Sequence, residues 1–105
     1  MKKNDTTAFR WYKKAAEQGN PDAEYKLALM YRWGKGTIKS SYQAAKWYQS
    51  AADHGHIKAQ VKLGQLYQEG RGVPKNVTMA FKLFLKAADQ KDPEAEKILA
   101  ELKED

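Results

Sequence analysis

The side chains that could carry chemistry are few, and the two histidines come first among them. His54 and His56 flank Gly55, and two imidazoles at this spacing could contact a metal ion. No third histidine or carboxylate cluster accompanies them, and the chain has no cysteine for a disulfide or a thiolate site. A helix end and the turn after it explain the pair better, because a cationic histidine is mildly stabilising there. We therefore predict no metal site and no other cofactor.

Motifs that support catalysis are missing as well. The sequence has no Gly-x-x-x-x-Gly-Lys-Ser/Thr phosphate-binding loop, no Gly-x-Ser-x-Gly and no His-Glu-x-x-His. Ser-x-x-Lys does not occur, and Lys35-Gly36-Thr37 is not the Lys-Thr-Gly of penicillin-recognising enzymes. With no cysteine and no activated serine, covalent catalysis has no nucleophile. The sequence therefore predicts that the chain is not an enzyme.

Composition and charge indicate a folded chain with a basic body and an acidic end. Of 105 residues, 42% are hydrophobic and 11% are aromatic, an apolar content that disordered chains lack. Residues 1–88 hold 16 bases and 6 acids, a net charge of +10, whereas residues 89–105 hold 3 bases and 7 acids, a net charge of −4. A basic surface could contact nucleic acid, but solvated helix faces commonly have this composition.

Neither a membrane segment nor a signal peptide is predicted. No apolar run approaches the roughly 18 residues that a membrane-spanning helix needs. The basic start Met1-Lys2-Lys3 is followed by Asn4-Asp5 rather than by the apolar segment of a signal peptide. A cytoplasmic location is therefore the expectation.

An internal repeat of 36 residues organises the chain. Between residues 8–36 and 44–72, 12 of 29 positions are identical without a gap. The recurring residues include aromatic and alanine pairs: Trp11-Tyr12 with Trp47-Tyr48, and Ala15-Ala16 with Ala51-Ala52 and Ala87-Ala88. Self-similarity at a fixed period is typical of solenoids, whose repeats stack to build one continuous core.

Each period contains two helical patterns. One apolar stripe has the spacing i, i+3, i+4, i+7 and i+8: Ala44, Trp47, Tyr48, Ala51 and Ala52. The other follows on Ala59, Leu63, Leu66 and Tyr67. Gly55 and Gly70 end these helices, while Asn20-Pro21 and Asp92-Pro93 pair a capping side chain with a first-turn proline. The pattern predicts an all-α solenoid of about six helices.

The repeated residues also form a family motif. One helix reads Ala-x-x-x-Leu-Gly/Ala-x-x-Tyr-x-x-Gly-x-Gly and the other Ala-x-x-Trp-Tyr-x-x-Ala-Ala-x-x-Gly, over about residues 8–102. This motif resembles the Sel1-like repeat, a relative of the tetratricopeptide repeat. The resemblance implies an α/α solenoid, a right-handed superhelix of antiparallel helix pairs, and a non-catalytic module or adaptor that binds another protein or a peptide.

In that family's phase the chain is one domain over residues 1–105. It divides into a half repeat (5–19), two full repeats (21–56 and 57–92) and a terminal helix (93–104). Lys103 stands at the position of the repeat tyrosine, which suits a last helix that faces water. The opening helix carries Phe9, Trp11 and Tyr12 without a helix before it, so we expect it to self-associate.

The resemblance also implies where a partner binds, because the first helix of each pair lines a concave groove. Carried onto this sequence, the partner-binding positions are Tyr25, Leu29, Arg32 and Trp33 in the first repeat, and Val61 and Gln65 in the second. Aromatic, aliphatic and arginine side chains dominate binding hot spots. Trp33 should be exposed because its repeat equivalent is Glu69, whereas Trp11 and Trp47 lie on the apolar stripe and should be core.

Two alternatives stay open at this point. Arg10, Lys46 and Lys82 align as a basic ridge on the second helices, which a nucleic-acid-associated protein could use. Nucleic acid is the less favoured partner, because the aromatic residues lie on the core stripe rather than among these bases. The resemblance also implies bacterial adaptor, regulatory or virulence roles, including that of an inhibitory partner of a toxin, and the sequence does not choose among them.

Overall fold

A computed structural model describes residues 3–103, and six helices account for most of them. The helices are α1 (Lys3–Glu17), α2 (Pro21–Trp33), α3 (Ser41–Asp53), α4 (Ile57–Glu69), α5 (Val77–Asp89) and α6 (Pro93–Lys103). No strand occurs between residues 3 and 103. Consecutive helices pack against each other along a body of 45 × 23 × 20 Å. The predicted all-α solenoid is confirmed, with α6 as its last helix; residue 104 lies outside the described residues.

Side-chain caps start the helices at the positions that the repeat predicts. The Asn20 side chain accepts a hydrogen bond of 3.1 Å from the Ala23 N–H at the start of α2. Asp92 accepts one of 2.9 Å from the Ala95 N–H at the start of α6. Each satisfies an N–H that has no partner within the first turn of its helix. These caps fix where α2 and α6 begin and, with them, which side chains face the same end of the solenoid.

Small residues let neighbouring helices approach closely around one buried aromatic ring per repeat. Tyr48 of α3 and Phe84 of α5 are both 0% exposed, and they occupy the same repeat position. A Cβ atom added to Gly64 would lie 2.6 Å from the Phe84 ring, so the close approach of α4 to α5 leaves no room for a side chain there. The second residue of the Trp-Tyr motif, rather than the tryptophan, is therefore the centre of the core.

The tryptophans differ from the sequence prediction in two of three cases. Trp33 is 61% exposed, as predicted. Trp11 is 70% exposed, so its assignment to the core is wrong. Within the described residues, no helix packs against α1 on the side away from α2, and this leaves the Trp11 ring in water. Trp47 is only partly buried, at the boundary between two core clusters, and is not the central anchor.

The Gly-x-Gly loops that follow α2 and α4 pack against the first residues of the preceding helices, α1 and α3. Gly72 has a φ of +76°, and a Cβ atom there would lie 2.2 Å from the Ser41 carbonyl oxygen. Gly55 has a similar φ of +87°, but a Cβ atom there would meet nothing within 4 Å. The two glycines therefore share a left-handed backbone but differ in the space around them.

This pair gives a matched test of the loop contact. Both Gly72→Ala and Gly55→Ala introduce the same left-handed strain of about 1–2 kcal/mol. Only Gly72→Ala also forces the loop away from α3. We expect it to lower the free energy of unfolding by about 1–2 kcal/mol more than Gly55→Ala in urea denaturation, a cost in the range of core overpacking. Equal losses for the two variants would contradict this account of the loop.

Candidate binding groove

The first turns of α2, α4 and α6 lie side by side and line an open groove of about 760 Å³. The groove is lined mainly by Asp22, Tyr25 and Lys26 of α2, by His56, Ile57 and Lys58 of α4, and by Lys91, Asp92 and Pro93 before and within α6. The three helices start at the same level because their N-cap residues, Asn20, His56 and Asp92, are separated by the repeat period. Three successive repeat units thus contribute to one surface.

A stacked pair of rings lies in this groove. Tyr25 and His56 have ring centroids 4.5 Å apart and an interplanar angle of 19°. His56 Nδ1 accepts a hydrogen bond of 3.1 Å from the Ala59 N–H, so the ring proton is on Nε2. That nitrogen lies 3.2 Å from a carboxylate oxygen of Asp22 and donates to it. The cap of α4 therefore fixes the imidazole plane against which the tyrosine stacks.

The surroundings keep the Tyr25 phenol neutral. Burial, followed by the negative charges of Glu94 and Asp92, raises the pKa of Tyr25 above its ordinary value. At neutral pH the hydroxyl is thus available both to donate and to accept a hydrogen bond. Lys26, Lys58 and Lys91 stand around it with exposed side chains. The groove offers a flat aromatic surface with cations and carboxylates at its rim.

The other end of α2 carries a second exposed aromatic residue. Trp33 is the last residue of the helix, and the Arg32 guanidinium carbon lies 5.2 Å from its ring centroid. Eight residues separate Trp33 from Tyr25, or about 12 Å along a helix. Neither Trp33 nor Arg32 lines the groove. The predicted partner-binding residues of α2 therefore lie along the length of the helix, and of these only Tyr25 lines the groove.

The remaining predicted site residues have mixed outcomes. Leu29 and Gln65 are partly buried and do not line the groove, and Leu29 packs against the core cluster around Tyr48. Val61 is 0% exposed, in the cluster with Phe84 and Ala95, so its prediction as a partner-contacting residue is wrong. The larger Tyr25 at the same repeat position reaches into the groove, whereas the short valine stays beneath the surface. Whether the accessible residues bind a partner stays a prediction.

A buried carboxylate on α2 joins this helix to α3 and to the turn that follows α3. Glu24 is 2% exposed, and its carboxylate accepts hydrogen bonds from the Ser50 hydroxyl and, over 2.7 Å, from His54 Nδ1. The equivalent contact in the next repeat is neutral: the Gln90 side-chain amide donates to the Gln60 side-chain oxygen over 3.2 Å. Ser50 therefore points inward, although Lys14 and Lys86 at its repeat position are exposed.

Sequence reasoning missed the roles of both histidines, although one had a readable signal. The repeat shift aligns His56 with Asn20 and Asp92, which are N-cap residues, and this alone places His56 at the level of the groove. His54 and Glu24 are 30 residues apart and meet only through the packing of α3 on α2.

Among residues 3–103, no group of three or more histidine, cysteine, aspartate or glutamate side chains is placed to hold a metal ion.

The basic ridge lies elsewhere on the solenoid. Arg10, Lys46 and Lys82 are all exposed, and none of them lines the groove between α2, α4 and α6. Ridge and groove can therefore be altered independently.

Of the helices in the described part of the chain, none is long and apolar enough to cross a membrane.

Comparison with protein families decides the family. A model described as the Sel1 repeat matches residues 1–20, 21–56 and 57–92, which together are most of the chain. The chain belongs to the Sel1 repeat family. Sel1 repeat proteins are generally scaffolds for protein–protein interaction and are typically non-catalytic. The search of curated proteins gives no match.

Solved Sel1 repeat structures share this architecture. A Sel1 repeat protein from Oxalobacter formigenes is 42% identical with a TM-score of 0.85, and the match covers 90% of this chain and 39% of that one. A protective antigen of uropathogenic Escherichia coli with an SLR fold is 37% identical with a TM-score of 0.84, covering 86% and 19% respectively. Cysteine rich protein B of Helicobacter pylori is 30% identical with a TM-score of 0.81, covering 86% and 68%. The chain spans about a fifth of the length of the E. coli relative and about two fifths of the length of the O. formigenes relative.

Proposed function

We propose that this chain is a non-catalytic module that binds an extended segment of a partner protein in the groove between α2, α4 and α6. The observation that supports this most directly is the Tyr25–His56 stack, whose rings are 4.5 Å apart in a groove shared by three repeat units. A planar aromatic surface at the centre of a groove is the arrangement that binding hot spots favour. The stack is already fixed by the cap of α4, so little side-chain entropy is lost when a partner covers it.

The charges around the stack define the segment that fits best. An apolar or aromatic side chain covers the Tyr25–His56 rings, while acidic side chains near it pair with Lys26 and Lys58. From the groove the segment continues along α2 to Arg32 and Trp33, a pair that suits another acidic residue beside an apolar one. Both ends of α2 then contribute to one extended binding surface.

A random-peptide display library selected on the immobilised chain tests this proposal. The selected peptides should contain an apolar or aromatic residue near acidic ones. Tyr25→Ala and the double variant Arg32→Ala/Trp33→Ala should each weaken the selected peptides at least about tenfold, or about 1.4 kcal/mol, by isothermal titration calorimetry. Circular dichroism checks that each variant keeps its helices.

The basic ridge supplies the matched control. Lys46→Ala/Lys82→Ala also removes large exposed side chains, but from the basic ridge, so affinity should change only by a modest salt-sensitive amount. Failure of the library to yield any binder, or loss of binding in the ridge variant with full binding in both α2 variants, would overturn the groove assignment.

A further inference from the structure

The two ends of the solenoid expose surfaces that its interior buries. At one end, an apolar groove of about 350 Å³ lies between α5 and α6 and includes Phe81, Ala88, Glu96, Leu99 and Ala100. The equivalent residues one repeat earlier are Ala45, Ala52, Gln60, Leu63 and Gly64, and all are buried. There, α5 packs on α4 and covers them. The groove between α5 and α6 is thus the position that a helix equivalent to α3 and α5 would occupy if the array continued past α6.

At the other end, α1 occupies the same repeat positions as α3 and α5, but one of its faces is open. Tyr12 is 36% exposed, although Tyr48 and Phe84 at its repeat position are 0% exposed. Trp11 is 70% exposed, whereas its equivalent Leu83 is 9% exposed. The residues at these two positions are therefore more exposed on α1 than Tyr48 of α3 or Leu83 and Phe84 of α5, which have α2 or α4 packed against them.

We propose that this chain assembles head to tail, with α1 of one copy packed in the groove between α5 and α6 of the next. The repeat register favours a second copy as the occupant, because a shift of three repeat periods places α1 directly after α6. The contact would continue the solenoid through the same helix pairing that joins α2 to α3 and α4 to α5. It also covers both exposed apolar surfaces at once.

Side-chain size is complementary at the centre of this contact. Within the chain the buried ring always faces a small residue: Phe84 packs against Gly64, and Tyr48 lies in one cluster with Ala28. Ala100 holds the small position on α6, and Tyr12 holds the aromatic position on α1. The contact between copies thus reproduces the alanine and tyrosine combination of the first repeat.

The two surfaces are also complementary in charge, and one pair of residues, Glu96 on α6 and Lys14 on α1, can be named. Glu96 occupies the repeat position of Glu24, and Lys14 occupies that of Ser50, which donates a hydrogen bond to Glu24. Helix α1 in the groove therefore brings the Lys14 ammonium of one copy to the Glu96 carboxylate of another. Both side chains are exposed within a single copy and line the open surfaces described above. The wider charges agree, because an acidic end meets a basic one.

Such a contact is heterologous, so it does not close after two copies. Surfaces at opposite ends of an elongated body generate an open chain of copies instead of a symmetric dimer. The average mass in solution should rise with protein concentration and pass twice the 12.0 kDa of one copy without a plateau there. Analytical ultracentrifugation from micromolar to millimolar concentration measures this directly.

Charge exchange identifies the surfaces. Glu96→Lys and Lys14→Glu each place like charges in the contact, and each should lower the association constant at least about tenfold. An equimolar mixture of the two variants, and the double variant Glu96→Lys/Lys14→Glu, should both recover association, because opposite charges face each other again. Circular dichroism confirms that each variant is folded, which exposed positions permit.

Two results would overturn the proposal. A constant mass of one copy at every concentration would show that α6 is a capped end, as Lys103 at the repeat tyrosine position favours. A dimer that survives Glu96→Lys but is lost with Trp11→Ala would show instead that two α1 helices pair with each other. Recovery on mixing, together with a mass that passes two copies, is the result that only the head-to-tail contact produces.

Discussion

Replacing Tyr48 with alanine should cost about 3–5 kcal/mol of the free energy of unfolding, the usual loss for a large aromatic side chain in a core. The ring is 0% exposed and packs among Ala28, Ala44 and Leu63, so its removal leaves a cavity that three helices line. A domain of ordinary stability has roughly 5–15 kcal/mol in total. The variant should therefore unfold at a much lower urea concentration than the parent chain.

Substitutions at the neighbouring aromatic positions are the controls for this loss. Trp47→Ala should cost clearly less, because Trp47 is only partly buried, and Trp11→Ala should stay within about 0.5 kcal/mol, as at other exposed sites. If Trp47→Ala were the most damaging of the three in urea denaturation, the tryptophan and not the tyrosine would be the anchor.

Tyr48→Phe separates the ring from its hydroxyl. The hydroxyl oxygen has no hydrogen-bond partner among the described residues, and Phe84 fills the same position in the next repeat without one. Tyr48→Phe should therefore be neutral or stabilising by about 1 kcal/mol. Burial also raises the pKa of Tyr48, so the folded chain keeps a proton that the unfolded chain loses. Stability should fall as the pH rises above about 10, and less steeply in Tyr48→Phe.

The repeat period made most of the fold predictable. Identical residues 36 positions apart located the helices and their glycine ends, and the pairs Asn20-Pro21 and Asp92-Pro93 located two of the caps, because these features depend on local sequence. The exposure of Trp33 followed from comparison with Glu69 at the same position. The choice between Trp47 and Tyr48 did not follow, since both lie on one apolar stripe. Only the approach of α2 and α4 decides which ring is enclosed.

The candidate site was less predictable, because it depends on side-chain size and on contacts between repeats. Tyr25 and Val61 share a repeat position, but only the longer side chain reaches the groove. The stack on His56 requires α2 and α4 to lie side by side. A period in the sequence shows that two positions are equivalent, but not which residues from different repeats meet.

The contact between Glu24 and His54 leads to the second large effect. His54→Ala removes the donor at 2.7 Å from a carboxylate that is 2% exposed, and leaves Glu24 with the Ser50 hydroxyl as its remaining side-chain donor. Removing one partner of a buried charge costs about 3–5 kcal/mol when both groups are buried. Because His54 is itself half exposed, we expect about 2–3 kcal/mol, measured by urea denaturation at neutral pH.

Two variants decide whether the unpaired charge causes that loss. Gln90→Ala breaks the equivalent contact in the next repeat, where the partner is the neutral Gln60, so it should cost only about 1 kcal/mol. Adding Glu24→Leu to His54→Ala removes the buried carboxylate and should restore much of the stability, because an apolar side chain of similar volume replaces a charge without its partner. If the double variant were less stable than His54→Ala alone, the histidine would contribute through packing at the end of α3, and the charge would be irrelevant. If the double variant instead regains stability, the folded chain tolerates the buried Glu24 carboxylate only because Ser50 and His54 donate hydrogen bonds to it.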